Sequence, residues 1–144
     1  MNPLLFQGVF ISSAKAEKYN FLTKMTDLLN KREVYQYIYS WVLFIKNEYD
    51  NSFIILSGAF SGDFISKFQK LKWKLREDHT YSPELVEYFI ADGEIKVKLN
   101  DKTTSTIWFD KYKKTLQEAY IDPVTKKKVR NEFMYFPWVE EGNN

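Results

Sequence analysis

Large hydrophobic residues predominate along the stretch from Glu33 to Gly58, whose sequence is EVYQYIYSWVLFIKNEYDNSFIILSG. Two runs rich in aromatic and β-branched residues flank the polar cluster 47–51, and runs bounded in this way are typical of paired β-strands. The pattern therefore predicts strands over Val34–Lys46 and Phe53–Ser57. Large side chains on both faces of the first run indicate that both faces are covered, and a buried helix is the competing interpretation.

Helical spacing marks three other segments. A serine pair precedes an amphipathic helix predicted over Ala14–Asn30. Asp63 is a suitable N-cap for a second helix with an apolar stripe over Phe64–Leu75, although the alternation at 71–76 is also compatible with a strand. The segment Asp110–Ala119 is predicted as a third helix.

Turn residues divide the C-terminal half into further strands. The sequence Ala91-Asp92-Gly93-Glu94 supplies the positive φ of a hairpin turn between strands over Leu85–Ile90 and Ile95–Leu99. The remaining predicted elements are a strand over Leu4–Ile11, a break over Gly58–Gly62, a loop over Glu77–Pro83, a strand over Thr103–Phe109, a turn over Asp122–Thr125 and an extended segment over Val129–Phe136.

The order of these elements predicts an α+β fold, an antiparallel sheet with two or three helices packed mainly on one face. A ferredoxin-like core with a C-terminal extension fits this order. No internal repeat, low-complexity tract or linker interrupts the sequence, so residues 1–144 are predicted to form a single globular domain. The polar end, residues 140–144, is predicted to be a frayed tail.

The composition is typical of a folded chain, with 44% hydrophobic and 28% charged residues in 144. The absence of cysteine excludes disulfides, thiolate nucleophiles and thiolate zinc sites. No apolar run reaches the ~18 residues of a membrane helix, and the N-terminus lacks the basic start of a secretory signal. We therefore expect a soluble, cytoplasmic protein that makes no membrane contact.

The charge balance argues mildly against sequence-specific DNA recognition. The net charge is +2, and only three of the 21 basic residues are arginine, so 21 − 3 = 18 are lysine. Arginine has the planar fork that reads guanine edges, whereas lysine is a hydrated point charge.

The sequence contains no recognisable catalytic set. Its single histidine, His79, lies among charged and polar residues, which predicts a solvated surface position. Neither a G-x-S-x-G nucleophile motif nor a phosphate-binding glycine loop is present. We therefore expect a protein that is not an enzyme and uses no cofactor or metal.

Two weak metal motifs compete with this expectation. Glu94-Ile95-Lys96, preceded by Glu84, Glu87 and Asp92, matches the E-x-K element of Mg²⁺-dependent nucleases, but charges alternating on an exposed strand give the same tripeptide by chance. The polar cluster 47–51 offers oxygen ligands for Ca²⁺, but it lacks the spacing and the glycine of an EF-hand loop, so a plain turn is the preferred interpretation.

Two basic clusters lie beside aromatic residues, a combination that suits single-stranded nucleic acid because lysines neutralise phosphates and rings stack on bases. The alternative is that the lysines line a solvated face while the rings enter the core. The candidate nucleic-acid-binding residues are Lys72 and Lys74 in the first cluster, and Lys126, Lys127, Lys128 and Arg130 in the second.

Aromatic residues make up 18% of the chain, more than one small core needs. Tyrosine and tryptophan dominate protein–protein hot spots. The leading hypothesis is therefore a small inhibitor, immunity or mobile-element accessory protein that occludes a protein partner, and self-association is a further possibility. The candidate partner-binding residues are Tyr49, Tyr135, Phe136 and Trp138, of which the last three otherwise pack as a final strand.

Overall fold

Strands dominate the computed structural model, which describes residues 3–16, 36–78, 84–99 and 102–138. Nine strands form one antiparallel sheet, and 58% of the described residues lie in strands. Within these residues there is one short α-helix, α1 (Phe64–Trp73), which continues into a π-helical segment, Lys74–Asp78. The predicted α+β fold with two or three helices on one face, including its ferredoxin-like core, is therefore wrong.

The C-terminal strand lies in the middle of the sheet. The strands are β1 (Gly8–Ala16), β2 (Gln36–Lys46), β3 (Phe53–Ser61), β4 (Glu84–Leu85), β5 (Tyr88–Ala91), β6 (Glu94–Lys98), β7 (Thr104–Asp110), β8 (Thr115–Ile121) and β9 (Lys128–Pro137), and a 3-10 helix over Pro3–Phe6 precedes them. Their order in the sheet is β4-β3-β2-β1-β9-β8-β7-β6-β5. Strand β9 therefore pairs with β1 on one side and with β8 on the other.

The helix predicted over Asp110–Ala119 is absent, and that segment is a tight turn followed by β8. The Asp110 carboxylate accepts hydrogen bonds from the backbone N–H groups of Tyr112 and Lys113, and Lys114 adopts a positive φ of 55°. Strand β8 then pairs with β9 along its whole length and with β7 over residues 115–119. Pairing on both sides satisfies the backbone of β8, so it outweighs the helical propensity of its residues.

The N-terminal elements differ from their predictions at the boundaries. Residues 14–16 of the predicted helix Ala14–Asn30 belong to β1, and its remainder lies outside the described residues. Strand β3 continues through the predicted break at Gly58 and ends at Ser61. The loop predicted over Glu77–Pro83 begins within the π-helical segment and otherwise lies outside the description, as do His79 and the tail 140–144.

Most of the predicted strands and turns are confirmed. Strands β2 and β3 replace the buried-helix alternative, and the four consecutive residues 41–44 are all buried, so both faces of β2 are covered there. Asp92 and Gly93 adopt positive φ angles of 53° and 76° in the turn between β5 and β6, as the hairpin prediction requires. Strands β7 and β9 lie where the sequence predicts them.

The chain divides into two compact units. The first unit comprises Met1–Ser12, Trp41–Gly58 and Ser82–Asn144, and the second comprises Ser13–Ser40 and Ala59–Tyr81. In the first unit, side chains from β1, β2, β3, β6, β7, β8 and β9 form one hydrophobic core. Phe10 lies at its centre, with the rings of Phe44, Phe109 and Tyr135 at centroid distances of 6.1, 6.2 and 5.3 Å. The single-domain interpretation stays a prediction.

In the parts of the chain that the structure describes, no helix combines the length and the apolar character needed to cross a membrane.

Candidate functional site

Five aromatic rings form a continuous series in the second unit, which we call the aromatic ladder. Its members are Tyr37 and Tyr39 of β2, Phe60 of β3, and Phe64 and Phe68 of α1. Successive ring centroids are 6.4, 5.1, 6.1 and 5.6 Å apart, and Tyr39 also contacts Phe64 at 4.9 Å. Tyr37 is 41% exposed, and the other four rings are half-buried. The rings therefore pack on one another and still present edges and faces to solvent.

The positions of the rings follow from the residue periodicity of the strand and of the helix that carry them. Tyr37 and Tyr39 are two residues apart on a strand and point to the same face. Phe64 and Phe68 are four residues apart on a helix, so their rings stack with an interplanar angle of 4°. The ladder is therefore a product of the regular geometry of β2 and α1, with Phe60 between them.

A sharp turn and an N-cap fix the start of α1 beside the strands. Gly62 adopts a φ of 103°, a conformation that residues with a Cβ atom rarely reach. The carboxylate of Asp63 then accepts a hydrogen bond of 3.0 Å from the backbone N–H of Ser66, which satisfies one of the free donors of the first helical turn. Together these two residues set where the helix begins.

Three lysines lie along one side of α1 and its continuation, and we call them the lysine face. Lys67, Lys70 and Lys74 have the spacing i, i+3 and i+7, which places them on one side of a helix. They line a shallow hollow of about 310 Å³ together with Ala59, Phe60 and Leu71. Because Phe60 also belongs to the aromatic ladder, the lysine face and the ladder meet at this ring.

Basic residues are concentrated in the sequence of α1 and its continuation. The sequence from Phe64 to Arg76 contains five basic residues and no acidic one. Trp73 and Ile65 on the same helix are exposed. The second unit thus offers basic and apolar groups on one short element.

The two predicted basic clusters belong to different units. Lys74 belongs to the lysine face, and Lys72 is half-buried on α1. In the first unit, Lys126 and Lys127 lie in the exposed turn between β8 and β9, and Lys128 is the first residue of β9. The Asp122 carboxylate organises this turn by accepting hydrogen bonds from the backbone N–H groups of Val124 and Thr125 at 2.8 and 3.0 Å.

One residue of the second cluster contacts an aromatic ring. The guanidinium carbon of Arg130 lies 5.5 Å from the ring centroid of Trp108, which is a cation–π contact. Phe133, the nearest aromatic residue along the chain, is buried in the core. The lysines of α1 thus lie beside the aromatic ladder, and a nucleic-acid-binding role of residues 126–130 stays a prediction.

The four predicted partner-binding residues lie in two different settings. Tyr49 is 96% exposed in the turn between β2 and β3. Tyr135 packs against the hydrophobic core, and Phe136 is half-buried opposite Val9 of β1. The backbone N–H of Trp138 donates to the carbonyl oxygen of Gln7 at 2.9 Å. The C-terminal block thus packs as a strand, and its role in partner binding stays a prediction.

Some groups of the two weak metal motifs have partners within the protein. The ammonium of Lys96 lies 3.2 Å from a carboxylate oxygen of Glu94 and 2.8 Å from the hydroxyl oxygen of Thr106. Asn47 and Asp50 accept hydrogen bonds from the backbone N–H groups of Tyr49 and Ser52, as in ordinary turns. A search of the described residues gives no group of three or more histidine or acidic side chains that could hold a metal ion.

Comparison with known proteins returned no matching family model, no similar curated protein and no similar solved structure. The case for a function therefore depends on the surfaces of the chain itself.

Sequence reasoning did not identify the aromatic ladder as one surface. It recognised the alternating tyrosines of β2 and the apolar stripe of α1 separately. The sequence did contain one signal for this surface, the row of lysines beside the apolar stripe of α1. Such a row indicates a helix whose basic side lies next to its aromatic rings. The contact of Phe60 with Tyr39 had no local signal, because it depends on the pairing of β3 with β2.

Proposed function

We propose that this protein is a non-enzymatic binding protein that occludes an acidic protein partner with the aromatic ladder and the lysine face. The observation that supports this proposal is their junction at Phe60, beside a helix with five basic and no acidic residues between Phe64 and Arg76. A cellular role as a cytoplasmic inhibitor, immunity protein or mobile-element accessory protein belongs to the same proposal.

The aromatic rings and the lysines would contribute to the binding free energy in different ways. Aromatic rings provide contact area with few rotatable bonds, and they are enriched at the centres of protein interfaces. Lysines at the edge attract a partner of opposite charge and mainly raise the association rate. An acidic surface with its own exposed rings is therefore the partner that this chemistry favours.

Single-stranded nucleic acid is the second candidate partner. The spacing of the rings supports it, because neighbouring faces 5–6 Å apart provide platforms on which unpaired bases stack. The lysines would then neutralise backbone phosphates. The protein partner is preferred because four of the five rings are half-buried, which limits the face area available to bases.

Three polymers of defined chemistry distinguish these candidates in fluorescence anisotropy titrations. A random copolymer of glutamate and tyrosine offers negative charge with rings, polyglutamate offers charge alone, and oligo(dT) offers phosphates with bases. The proposal predicts the tightest binding for the copolymer. Tighter binding of oligo(dT) would instead assign the protein to the nucleic-acid-binding class.

A pair of triple variants with equal charge changes locates the binding surface. The first variant combines Lys67→Glu, Lys70→Glu and Lys74→Glu. It should weaken copolymer binding about tenfold or more, because the reversed charges repel the acidic polymer. Lys126→Glu, Lys127→Glu and Lys128→Glu together change the net charge equally, at a different place. If both triple variants weaken binding to the same degree, binding reflects overall charge and the proposed surface is wrong.

Self-association is tested separately by light scattering on the eluting protein. A monomeric mass that does not change with salt leaves the surface available for a different partner. A stable dimer that the lysine-face triple variant dissociates would identify a second copy of the chain as the occupant.

A further inference from the structure

A cavity of about 540 Å³ lies within the first unit, apart from the surface proposed above. Its apolar wall includes Val42 of β2, Ile55 of β3, Val97 of β6 and Ile107 of β7, all of them buried core residues. The size falls within the range typical of pockets for small molecules, roughly 300–1,000 Å³.

The position of the cavity follows from how strands meet in this unit. The backbone N–H of Val86 donates to the carbonyl oxygen of Ile55, and that of Lys98 donates to the carbonyl oxygen of Glu87, each at 3.0 Å. The short segment between β4 and β5 therefore connects β3 to β6. The cavity lies beside this connection, and residues 84–87 form part of its wall.

The charged groups that line the cavity are mostly acidic. The acidic lining residues are Glu84, Glu87 and Glu118, and Lys98 is the one basic residue among the lining residues. The local excess of negative charge disfavours an anionic ligand such as a fatty acid and favours a cation.

Glu118 is the carboxylate with the most defined position. It lies on β8 opposite Ile107 of β7 and Asn131 of β9. The amide of Asn131 donates to its Oε1 atom at 2.9 Å, and the hydroxyl of Ser105 donates to its Oε2 atom at 3.2 Å. Ser105 is completely buried, so these hydrogen bonds hold the carboxylate against the wall of the cavity.

These two hydrogen bonds leave Glu118 with further capacity for a ligand. Each carboxylate oxygen has a second lone pair, and both donors are neutral, so neither compensates the negative charge. A half-buried charge is stabilised more by a partner of opposite charge than by neutral hydrogen-bond donors. An ammonium group in the cavity would supply that partner, while an aliphatic chain would contact Val42, Ile55 and Val97.

We propose that this cavity binds a small organic amine, with the ammonium group on Glu118 and the aliphatic body against the apolar wall. This site is independent of the aromatic ladder and of the function proposed for it.

Three eight-carbon probes with different head groups test the assignment. Octylammonium, octan-1-ol and octanoate are titrated into the full chain at millimolar concentrations, and binding is followed by calorimetry and by NMR chemical shifts of the cavity methyl groups. We expect octylammonium to bind at least about tenfold more tightly than the other two. Equal or tighter binding of octanoate, or no detectable binding of octylammonium, overturns the proposal without any variant being needed.

A matched pair of carboxylate substitutions then locates the head group. Glu118→Gln removes the charge and keeps the side-chain length, and we expect it to weaken octylammonium binding about tenfold. Glu48→Gln makes the same change in the exposed turn between β2 and β3, and it should leave binding unaltered. If folded Glu118→Gln protein, verified by its thermal unfolding curve, binds octylammonium as the wild type does, the assignment is wrong.

The lysine-face triple variant separates this proposal from the previous one. Octylammonium binding should survive Lys67→Glu, Lys70→Glu and Lys74→Glu, because these residues belong to the second unit. Loss of copolymer binding with retained amine binding, or the reverse, shows which of the two proposals fails.

Discussion

The indole ring of Trp41 occupies the space that a side chain on Gly58 would need. A Cβ atom at residue 58 would lie 2.5 Å from Cζ2 and 2.6 Å from Cε2 of Trp41, far closer than carbon atoms approach without bonding. Trp41 has no exposed surface, so its ring has little room to retreat. The glycine of β3 is therefore a requirement of packing.

We expect Gly58→Ala to lower the free energy of unfolding by about 2 kcal/mol, the usual cost of overpacking a core. In an unstrained site the same substitution stabilises a protein slightly by reducing the freedom of the unfolded chain, so the sign of the change is informative. Urea unfolding followed by tryptophan fluorescence measures it.

A double-mutant cycle with Trp41→Phe assigns this cost to the contact. The smaller ring makes room for the new methyl group, so the two substitutions together should cost less than the sum of their separate effects. Simple additivity would mean that the methyl group is accommodated elsewhere and that the contact with Trp41 does not set the cost.

We expect loss of the Asp63 cap to destabilise α1. Asp63→Ala should lower the free energy of unfolding by about 1 kcal/mol, because the backbone N–H of Ser66 loses its acceptor. Asp63→Ser is the control, since a serine hydroxyl caps equally well, and it should have little effect. Equal losses in the two variants would show that the charge rather than the cap matters.

Two tyrosines that the sequence predicts to be partner-binding residues should respond differently to truncation. Tyr135→Ala should lower the free energy of unfolding by about 2 kcal/mol or more, because its ring packs on Phe10 in the core. Tyr49→Ala should change it by less than about 0.5 kcal/mol, because Tyr49 is 96% exposed. Thermal or urea unfolding provides the comparison, and similar effects would contradict the placement of Tyr135.

Tyr37 is the most exposed ring of the aromatic ladder and the best single test of its role in binding. Tyr37→Ala should weaken binding of the glutamate–tyrosine copolymer about tenfold, on the scale of an interface hot spot, with little effect on stability. Tyr112→Ala truncates a ring that is 91% exposed in the turn before β8, and it should leave binding unaltered. A weaker effect of Tyr37→Ala than of Tyr112→Ala would exclude the ladder as the contact surface.

The turn at Asp122 should keep its carboxylate ionised to unusually low pH. Hydrogen bonds from the backbone N–H groups of Thr125 and Val124 lower the pKa of Asp122 below its ordinary value of 3.8. The folded state therefore favours the ionised form. The resulting contribution to stability is complete above the pKa of the unfolded chain, and it is lost as the pH falls through the lower folded pKa.

An NMR titration of the side-chain carboxyl carbon measures this pKa directly. A midpoint for Asp122 at or above 3.8 would show that the two backbone hydrogen bonds do not persist in solution.

The extent to which the sequence predicted the fold depended on the range of the interactions involved. The hairpin of β5 and β6 was predictable because Asp92 and Gly93 accept positive φ whatever lies around them. The start of α1 was predictable because Asp63 and Ser66 are only three residues apart. In both cases, the decisive contacts join near neighbours in the chain.

The predicted helix over Asp110–Ala119 failed for the opposite reason. Lys, Leu, Gln, Glu and Ala favour helix, yet Leu116 lies between Phe109 of β7 and Phe133 of β9 in the sheet. Such cross-strand neighbours outweigh intrinsic propensity. The incorrect α+β assignment followed from this segment and from assigning a helix to residues 14–16 of β1.

By itself, the sequence determined where the chain alternates, where it turns and how α1 is capped, because these features depend on residues within one or two turns of each other. Only the tertiary structure decided that β9 lies at the centre of the sheet, that rings from β2, β3 and α1 meet in one ladder, and that Glu118 faces a cavity. Those outcomes depend on strand pairing and burial between segments that are far apart in the sequence. The free energy of such contacts cannot be inferred from a pattern of neighbouring residues.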